Sequence, residues 1–292
     1  MEKLGAIIVN GYFETEGTLH QTESLKKELN KLGVEIDVLK SNKILRSIKK
    51  GKIEVKIKNY DFIVFLDKDI HLAKMLESLG FTLFNSRSAI ELCDDKILTH
   101  ITLSNFNINM PLTIPSTIMY SETNDIEFLQ SVEERLNYPI IVKKAYGSMG
   151  KGVFKANNYR ELKELFNSLR LYPHMYQEYI NCGYGKDIRV IVIGGKVVAS
   201  MLRTNLNDFR SNVELGGSCE NYILNLEERK MAERAASILG LDFAGVDILT
   251  KDGVNYLCEV NSNALFKGIT EATKVNIAKA YASHIYKSIY KK

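Results

Sequence analysis

Two short apolar runs decide how this chain is read: Ala244-Gly245-Val246-Asp247-Ile248-Leu249, and Asn255-Tyr256-Leu257-Cys258-Glu259-Val260-Asn261, joined across Lys251-Asp252-Gly253. The pattern predicts two strands and a polar turn. Asp247, Glu259 and Asn261 place hard oxygen donors among Val, Ile and Leu. Glu259 and Asn261 are two apart and share a strand face, and Asp247 can stand opposite them. Carboxylates in such company cost several kcal/mol to bury unless a cation or a donor compensates. A carboxylate–carboxylate–amide set suits Mg²⁺. A hairpin with its polar side in water is the alternative these residues leave open.

Working outward, residues 1–93 alternate strand and helix. Ala6-Ile7-Ile8-Val9, Val34 to Leu39, Asp61 to Leu66 and Phe81 to Asn85 read as strands. Leu19 to Leu32, ended by Gly33, and Ile70 to Leu79, ended by Gly80, read as helices. Such alternation predicts a small parallel sheet covered by helices. No Gly-x-Gly-x-x-Gly follows the first strand, which disfavours a dinucleotide site there. Ala89 to Leu103 reads as one helix containing Asp94-Asp95-Lys96. Downstream, strands are expected at Pro139–Lys144, Gly152–Lys155, Met175–Ile180, Asp187–Ile193 and Lys196–Arg203. Helices are expected at Ile126–Leu136, Tyr159–Leu169, Glu227–Leu239 and Asn276–Tyr290.

Composition narrows the function. The 292 residues include 39 basic and 35 acidic side chains, a net charge of +4. That suits anionic small molecules and gives no argument for nucleic acid. Cys93, Cys182, Cys219 and Cys258 are scattered, with no Cys-x-x-Cys and no clustered His, so zinc is disfavoured. Few, dispersed cysteines suit a reducing compartment, and a cytoplasmic protein is expected. No apolar run approaches membrane-spanning length.

Between two of the expected strands lies Tyr146-Gly147-Ser148-Met149-Gly150-Lys151-Gly152-Val153. Glycines let backbone amides approach phosphate oxygens closely. The loop is neither a Walker loop nor a dinucleotide loop, and it sits like a flap over a nucleotide, with a plain hairpin turn as the alternative. Lys143 alternates against Val142 and can face inward as a phosphate ligand. Glu178, Tyr179 and Ile180 can form an adenine wall, and Asp187 can accept ribose hydroxyls. Arg203, Arg210, Ser211 and Asn212 form a cationic polar segment suited to phosphate and carboxylate groups.

Taken in order, these segments resemble the ATP-grasp superfamily, most closely its RimK-type amino-acid ligases. The likeness rests on Asp95-Lys96, Pro139 to Lys143, Gly147 to Val153, Gln177 to Ile180, Asp187-Ile188-Arg189, Asp208 to Asn212, Ala244 to Asp247 and Glu259 to Asn261. It covers residue 90 or so to the end. It implies an α/β (α+β) chain with three parts: a pre-ATP-grasp parallel-sheet domain at 1–93, a central lobe with the glycine flap at 94–174, and a C-terminal lobe with the metal site at 175–292. It further implies that ATP lies between two lobes. Lys96 and Lys143 would hold phosphates together with the flap glycines Gly147, Gly150 and Gly152 and with Ser148. Glu178, Tyr179 and Ile180 would hold adenine and Asp187 the ribose. Arg203, Arg210, Ser211 and Asn212 would contact the phosphate tail and the acyl phosphate. Asp247, Glu259 and Asn261 would hold two Mg²⁺, with Mn²⁺ as a substitute.

The implied reaction joins an amino acid or other amine to a carboxylate acceptor (a peptide, a carrier-protein tail or a metabolite) through an acyl phosphate. No nucleic-acid or membrane partner is implied, and a homo-oligomer is. A nucleotide-binding module without ligase activity is the alternative. Beyond Asn261 the chain departs from the RimK pattern. Ser262 to Gly268 lacks the Pro-Gly turn and carries Lys267 in place of an acid, which is similar to LysX-type ligases. That run borders the expected amino-acid site.

Overall fold

The computed structural model describes residues 3–120, 126–183, 185–212 and 216–291. The chain opens with β1 (Lys3–Val9), α1 (Glu16–Lys31), β2 (Val34–Lys40), the hairpin β3 (Arg46–Lys49) and β4 (Lys52–Val55), β5 (Phe62–Leu66), α2 (Ile70–Ser78) and β6 (Leu83–Phe84). Apart from the hairpin, its strands form a parallel sheet in the order β2-β1-β5-β6. Thr15 caps α1 and Asp69 caps α2, so polar residues just ahead of each apolar stripe set where the helices start. The β3–β4 hairpin turns at Lys50-Gly51, both at positive φ, the geometry a two-residue turn needs.

The expected helix from Ala89 to Leu103 is two helices, α3 (Arg87–Asp94) and α4 (Lys96–Ser104). Asp95 breaks it. Its carboxylate accepts the amides of Ile97 and Leu98 at 2.9 and 3.1 Å, so it caps α4 rather than continuing α3.

Next come β7 (Thr113–Pro115), α5 (Ile126–Leu136), β8 (Ile140–Lys144), β9 (Val153–Ala156), α6 (Tyr159–Leu169) and β10 (His174–Glu178). They build an antiparallel sheet, β7-β10-β8-β9. The strand at Met175–Ile180, which the sequence groups with the C-terminal lobe, therefore pairs with β8 in the middle sheet. Leu136, Ile140, Val142, Leu162, Phe166 and Tyr176 give this lobe a core of its own.

The third sheet holds β11 (Lys186–Ile193), β12 (Lys196–Thr204), β13 (Ser218–Asn221), β14 (Phe243–Lys251) and β15 (Val254–Asn261), with α7 (Leu226–Ile238) between β13 and β14. It is antiparallel, in the order β13-β12-β11-β14-β15. α8 (Lys267–Thr273) and α9 (Ile277–Tyr290) follow. Tyr281 and Ile285 of α9 pack into one core with Leu25 and Leu29 of α1, Phe62 of β5 and Phe243 of β14. The parallel sheet and the third sheet are thus fused. Asn85 sews the same seam: its amide donates to Phe243 O and Ser262 O and accepts from the backbone of Asp242 and Phe243.

Candidate active site between the second and third sheets

On β14, Val246 and Ile248 enter the core against α7, which turns Asp247 to the opposite face. Across the sheet, Asp247 stands directly opposite Arg189 of β11 and Glu259 of β15, and Arg203 of β12 stands opposite Asp187. Alternation alone thus aligns five charged side chains on one face. A bulge then modifies β15. Ile248 pairs with Leu257 while Asp247 pairs with Glu259, leaving Cys258 extra. Leu257 and Val260 both reach the core, so Cys258 and Glu259 both turn to the cleft. Gly245 is required here for space: a Cβ would lie 2.3 Å from that of Ala264, in the run leaving β15.

The charges neutralise one another. Arg189 grips Asp247 through Nε and through Nη2 at 2.7 Å, and Arg203 Nη2 reaches the same carboxylate at 3.0 Å. Arg203 also clasps Asp187, with its Nε at 2.7 Å and its Nη2 at 2.5 Å. Burial pushes the Asp247 carboxyl up, but the Arg189 and Arg203 guanidiniums outweigh it and hold it below the usual carboxylate range. Despite burial, Asp187 and Asp247 raise Arg203 further into its charged form.

From the middle sheet, Lys143 enters the cleft, buried, with its Nζ 3.6 Å from Cys258 Sγ. Burial pushes that thiol up to about 11, against the pull of Lys143, so it sits as a neutral wall. Lys96 Nζ lies 3.3 Å from Glu259 and 2.9 Å from the carbonyl of Gly147. Arg210 is held by Asp208 and donates from Nη1 to the Gly150 carbonyl at 2.8 Å. Two cations expected to meet phosphate therefore hold the glycine flap by its carbonyls. Met149 and Gly150 adopt φ of +60° and +72° at the flap tip.

One cleft gathers Lys143, Gly150, Glu178, Tyr179, Ile180, Asp187, Arg203, Arg210, Ser211, Asn212, Asp247 and Glu259. Lys96, Gly147, Ser148, Gly152 and Asn261 lie outside its immediate wall, on the flap or its anchors or at the end of β15. Glu178 has part of its carboxylate committed: Oε1 accepts the Leu112 amide at 2.9 Å. Asp187 is buried and bound to Arg203, so a ribose would meet it only along the cleft wall. Asp247 and Glu259 directly opposed, with Asn261 two positions on, form a hard-oxygen set that fits Mg²⁺. Among the described residues no group of three or more His, Cys, Asp and Glu could hold a metal, and the third donor here is an amide. Sequence reasoning left Arg189 and Cys258 without roles. Arg189 was readable, because it shares Asp187's strand face; Cys258 was not, because its direction depends on the bulge.

A model of the RimK-like ATP-grasp domain matches residues 93–285. The uncharacterized protein MG012 of Mycoplasma genitalium is 29% identical over 95% of this chain and 98% of its own length. Human N-acetylaspartylglutamate synthase A is 33% identical over 75% of this chain, and the match spans 56% of that protein, about half its length. Among solved structures, a RimK domain ATP-grasp protein from Sphaerobacter thermophilus superposes with a TM-score of 0.75 at 16% identity, covering 96% of this chain and 98% of that one, a likeness of fold. Among the described residues, no helix is long and apolar enough to cross a membrane.

Proposed function

The chain belongs to the RimK-like ATP-grasp family, whose ligases use ATP and Mg²⁺, and from that premise we propose that it joins a carboxylate to an amine at the cleft between its second and third sheets. The observation that carries this reading is the convergence of Lys143, Arg203 and Arg210 with Asp247 and Glu259 in that cleft.

ATP lies with adenine along Glu178, Tyr179 and Ile180 and its phosphates towards Lys143, Lys96, Arg210, Ser211 and Asn212. The acceptor carboxylate attacks the γ-phosphorus, the bond to the bridging oxygen breaks, and ADP leaves. An amine then attacks the acyl carbon, phosphate departs and the nitrogen loses a proton. Lys143 and the guanidiniums stabilise the charge spread over the transferring group. Arg203 and Arg189 can exchange carboxylate oxygens for phosphate oxygens, which frees Asp247. Asp247, Glu259 and Asn261 would hold Mg²⁺ (two ions, with Mn²⁺ as a substitute), which would neutralise charge on the phosphates when bound. The flap, released from its carbonyl contacts, closes over the acyl phosphate and excludes water. The name of the human relative points to a glutamate-containing product for that protein. Here the amine is an amino acid or a related compound, and the acceptor a peptide, a carrier-protein tail or a metabolite.

The test is a screen of acids and amines for ADP and phosphate release, with mass detection of the product. Release that needs Mg²⁺ and a matched pair is expected. Tight ATP binding without turnover across the panel would instead favour a nucleotide-binding module. Acyl phosphate trapped as hydroxamate, with no amide formed from any amine of the panel, would favour a phosphotransferase that stops at the acyl phosphate.

A further inference from the structure

Charge is unevenly spread along this chain. Residues 40–58 carry eight basic side chains and one acidic one, a net +7, whereas the whole chain carries +4, so the remainder sums to −3. Three of the eight are paired: Lys40 with Glu14 at 2.9 Å, Arg46 with Asp69 at 2.7 Å and Lys58 with Asp37 at 2.8 Å. Lys43, Lys49, Lys50, Lys52 and Lys56 are exposed and, among the described residues, make no ion pair. Like charges gathered this closely repel one another and attract an anion across them.

The run holds the β3–β4 hairpin, whose register sorts it into two faces. Ile48 stands opposite Ile53 on one, and Lys49 opposite Lys52 on the other. β4 leans inward, with Val55 packed against the core that holds Leu72 and Leu76 of α2. β3 is exposed along its whole length and, among the described residues, pairs only with β4. Its outer edge therefore presents unpaired backbone donors and acceptors. Ile48 is 74% exposed, and Leu45, just ahead of the strand, is 62% exposed. Lysine on an edge strand repels a second copy of the same strand, but it attracts a strand that carries acids. The run also starts on the flap side of the parallel sheet. A second cavity lies at the carboxyl ends of β1, β2 and β5. Lys40 lines it together with Met149 of the flap tip, while the adjacent Gly150 lines the nucleotide cleft.

We propose that the outer edge of β3 docks an extended acidic polypeptide as an added strand. Its Glu or Asp side chains lie along Lys49 and Lys52, and its alternate apolar side chains lie along Ile48 and Ile53. An anionic lipid surface or a nucleic acid would meet the lysines, but neither has amides for the strand edge or alternating side chains for the two faces. That this polypeptide carries the acceptor carboxylate rests on the ligase reading; the docking itself does not need turnover.

Fluorescence anisotropy with the full chain tests it. The probe is a fluorescein-labelled peptide alternating Glu and Val, and its control alternates Gln and Val. The Glu peptide is expected to bind at least tenfold more tightly than the Gln peptide, the gap narrowing as salt rises. Two further Glu peptides are N-methylated, one at every Glu and one at every Val. One of them is expected to lose at least tenfold, because only alternate amides face β3. Lys49→Glu combined with Lys52→Glu, at exposed positions that do not threaten folding, is expected to weaken the Glu peptide at least tenfold and to leave binding of a non-hydrolysable ATP analogue unchanged. Ile48→Ser is expected to weaken the peptide as well. Equal affinity for the Gln peptide, full affinity of both methylated peptides, or full affinity in either variant would overturn the proposal. Tighter binding of a poly(U) oligonucleotide or of phosphatidylglycerol vesicles than of the Glu peptide would assign the hairpin to nucleic acid or to a membrane, and would overturn it too. The expected peptide pattern, with no ADP formed on any acid and amine pair, would sink the ligase reading alone.

Discussion

The two cavities that meet at the flap tip are built on opposite electrostatic plans. In the cleft between the second and third sheets the guanidiniums and carboxylates of the third sheet are paired: Arg203 with Asp187 and Asp247, Arg189 with Asp247, and Glu259 with Lys96. In the cavity beside the parallel sheet one carboxylate oxygen, on Asp67, is buried with none. The first can hold concentrated charge because its ions neutralise one another, and on the proposed function a phosphate chain would enter by exchange.

The sharpest way to break the comparison is to remove the shared anion of the cleft. Asp247→Ala leaves two buried guanidiniums short of a partner, and a loss of about 3–5 kcal/mol is expected in urea unfolding. A loss below about 1 kcal/mol would mean that the ladder is not the organising unit of that face. The same carboxyl, held low by Arg189 and Arg203, contributes stability that is complete above the unfolded carboxylate range, near about pH 4, and is lost only as pH falls through its depressed folded value.

Next in size is Arg210→Ala, which removes a cation proposed to meet the phosphates and one tether of the Gly150 loop. ADP formation is expected to fall about 100-fold, or about 2.7 kcal/mol of transition-state stabilisation. A change confined to the KM for ATP would show that Arg210 holds the flap and the nucleotide but not the transferring group.

The smallest effect sharpens the picture behind the cleft. His100 is pushed down to about 4 by burial and then by Lys143. Below an unfolded value near about 6.5 the unfolded chain takes up the proton more readily, so stability should fall by about 2 kcal/mol between pH 7 and 5. His100→Gln should flatten that slope in denaturant melts; an unaltered slope would assign the proton uptake elsewhere.

Much of this was legible in one dimension. The hairpin of β14 and β15, the shared face of Glu259 and Asn261, and the inward turn of Lys143 all follow from a side-chain period of two. The flap was visible as glycines between two apolar runs. Three features escaped for local reasons. Asp95 ends one helix and starts another without Pro or Gly, using its side chain to cap. The β3–β4 hairpin has strands of only four residues and no buried side chain, although the alternation of Lys52-Ile53-Glu54-Val55 and the Lys50-Gly51 turn were both readable. Cys258 points into the cleft only because a bulge adds one residue to β15.

By itself, then, the sequence determined which residue types occupy which strand faces, and through their order the family and its chemistry, because alternation and turn residues are local. Which charge neutralises which was decided only in three dimensions. Arg203 and Asp187 meet across a hairpin, and Arg189 meets Asp247 58 residues away because β11 lies beside β14. Asp67 meets Asn10 because β1 and β5 lie side by side, and that meeting uses only one of its two carboxylate oxygens. Sheet order sets those meetings, and sheet order is a property of the packed core rather than of any one segment.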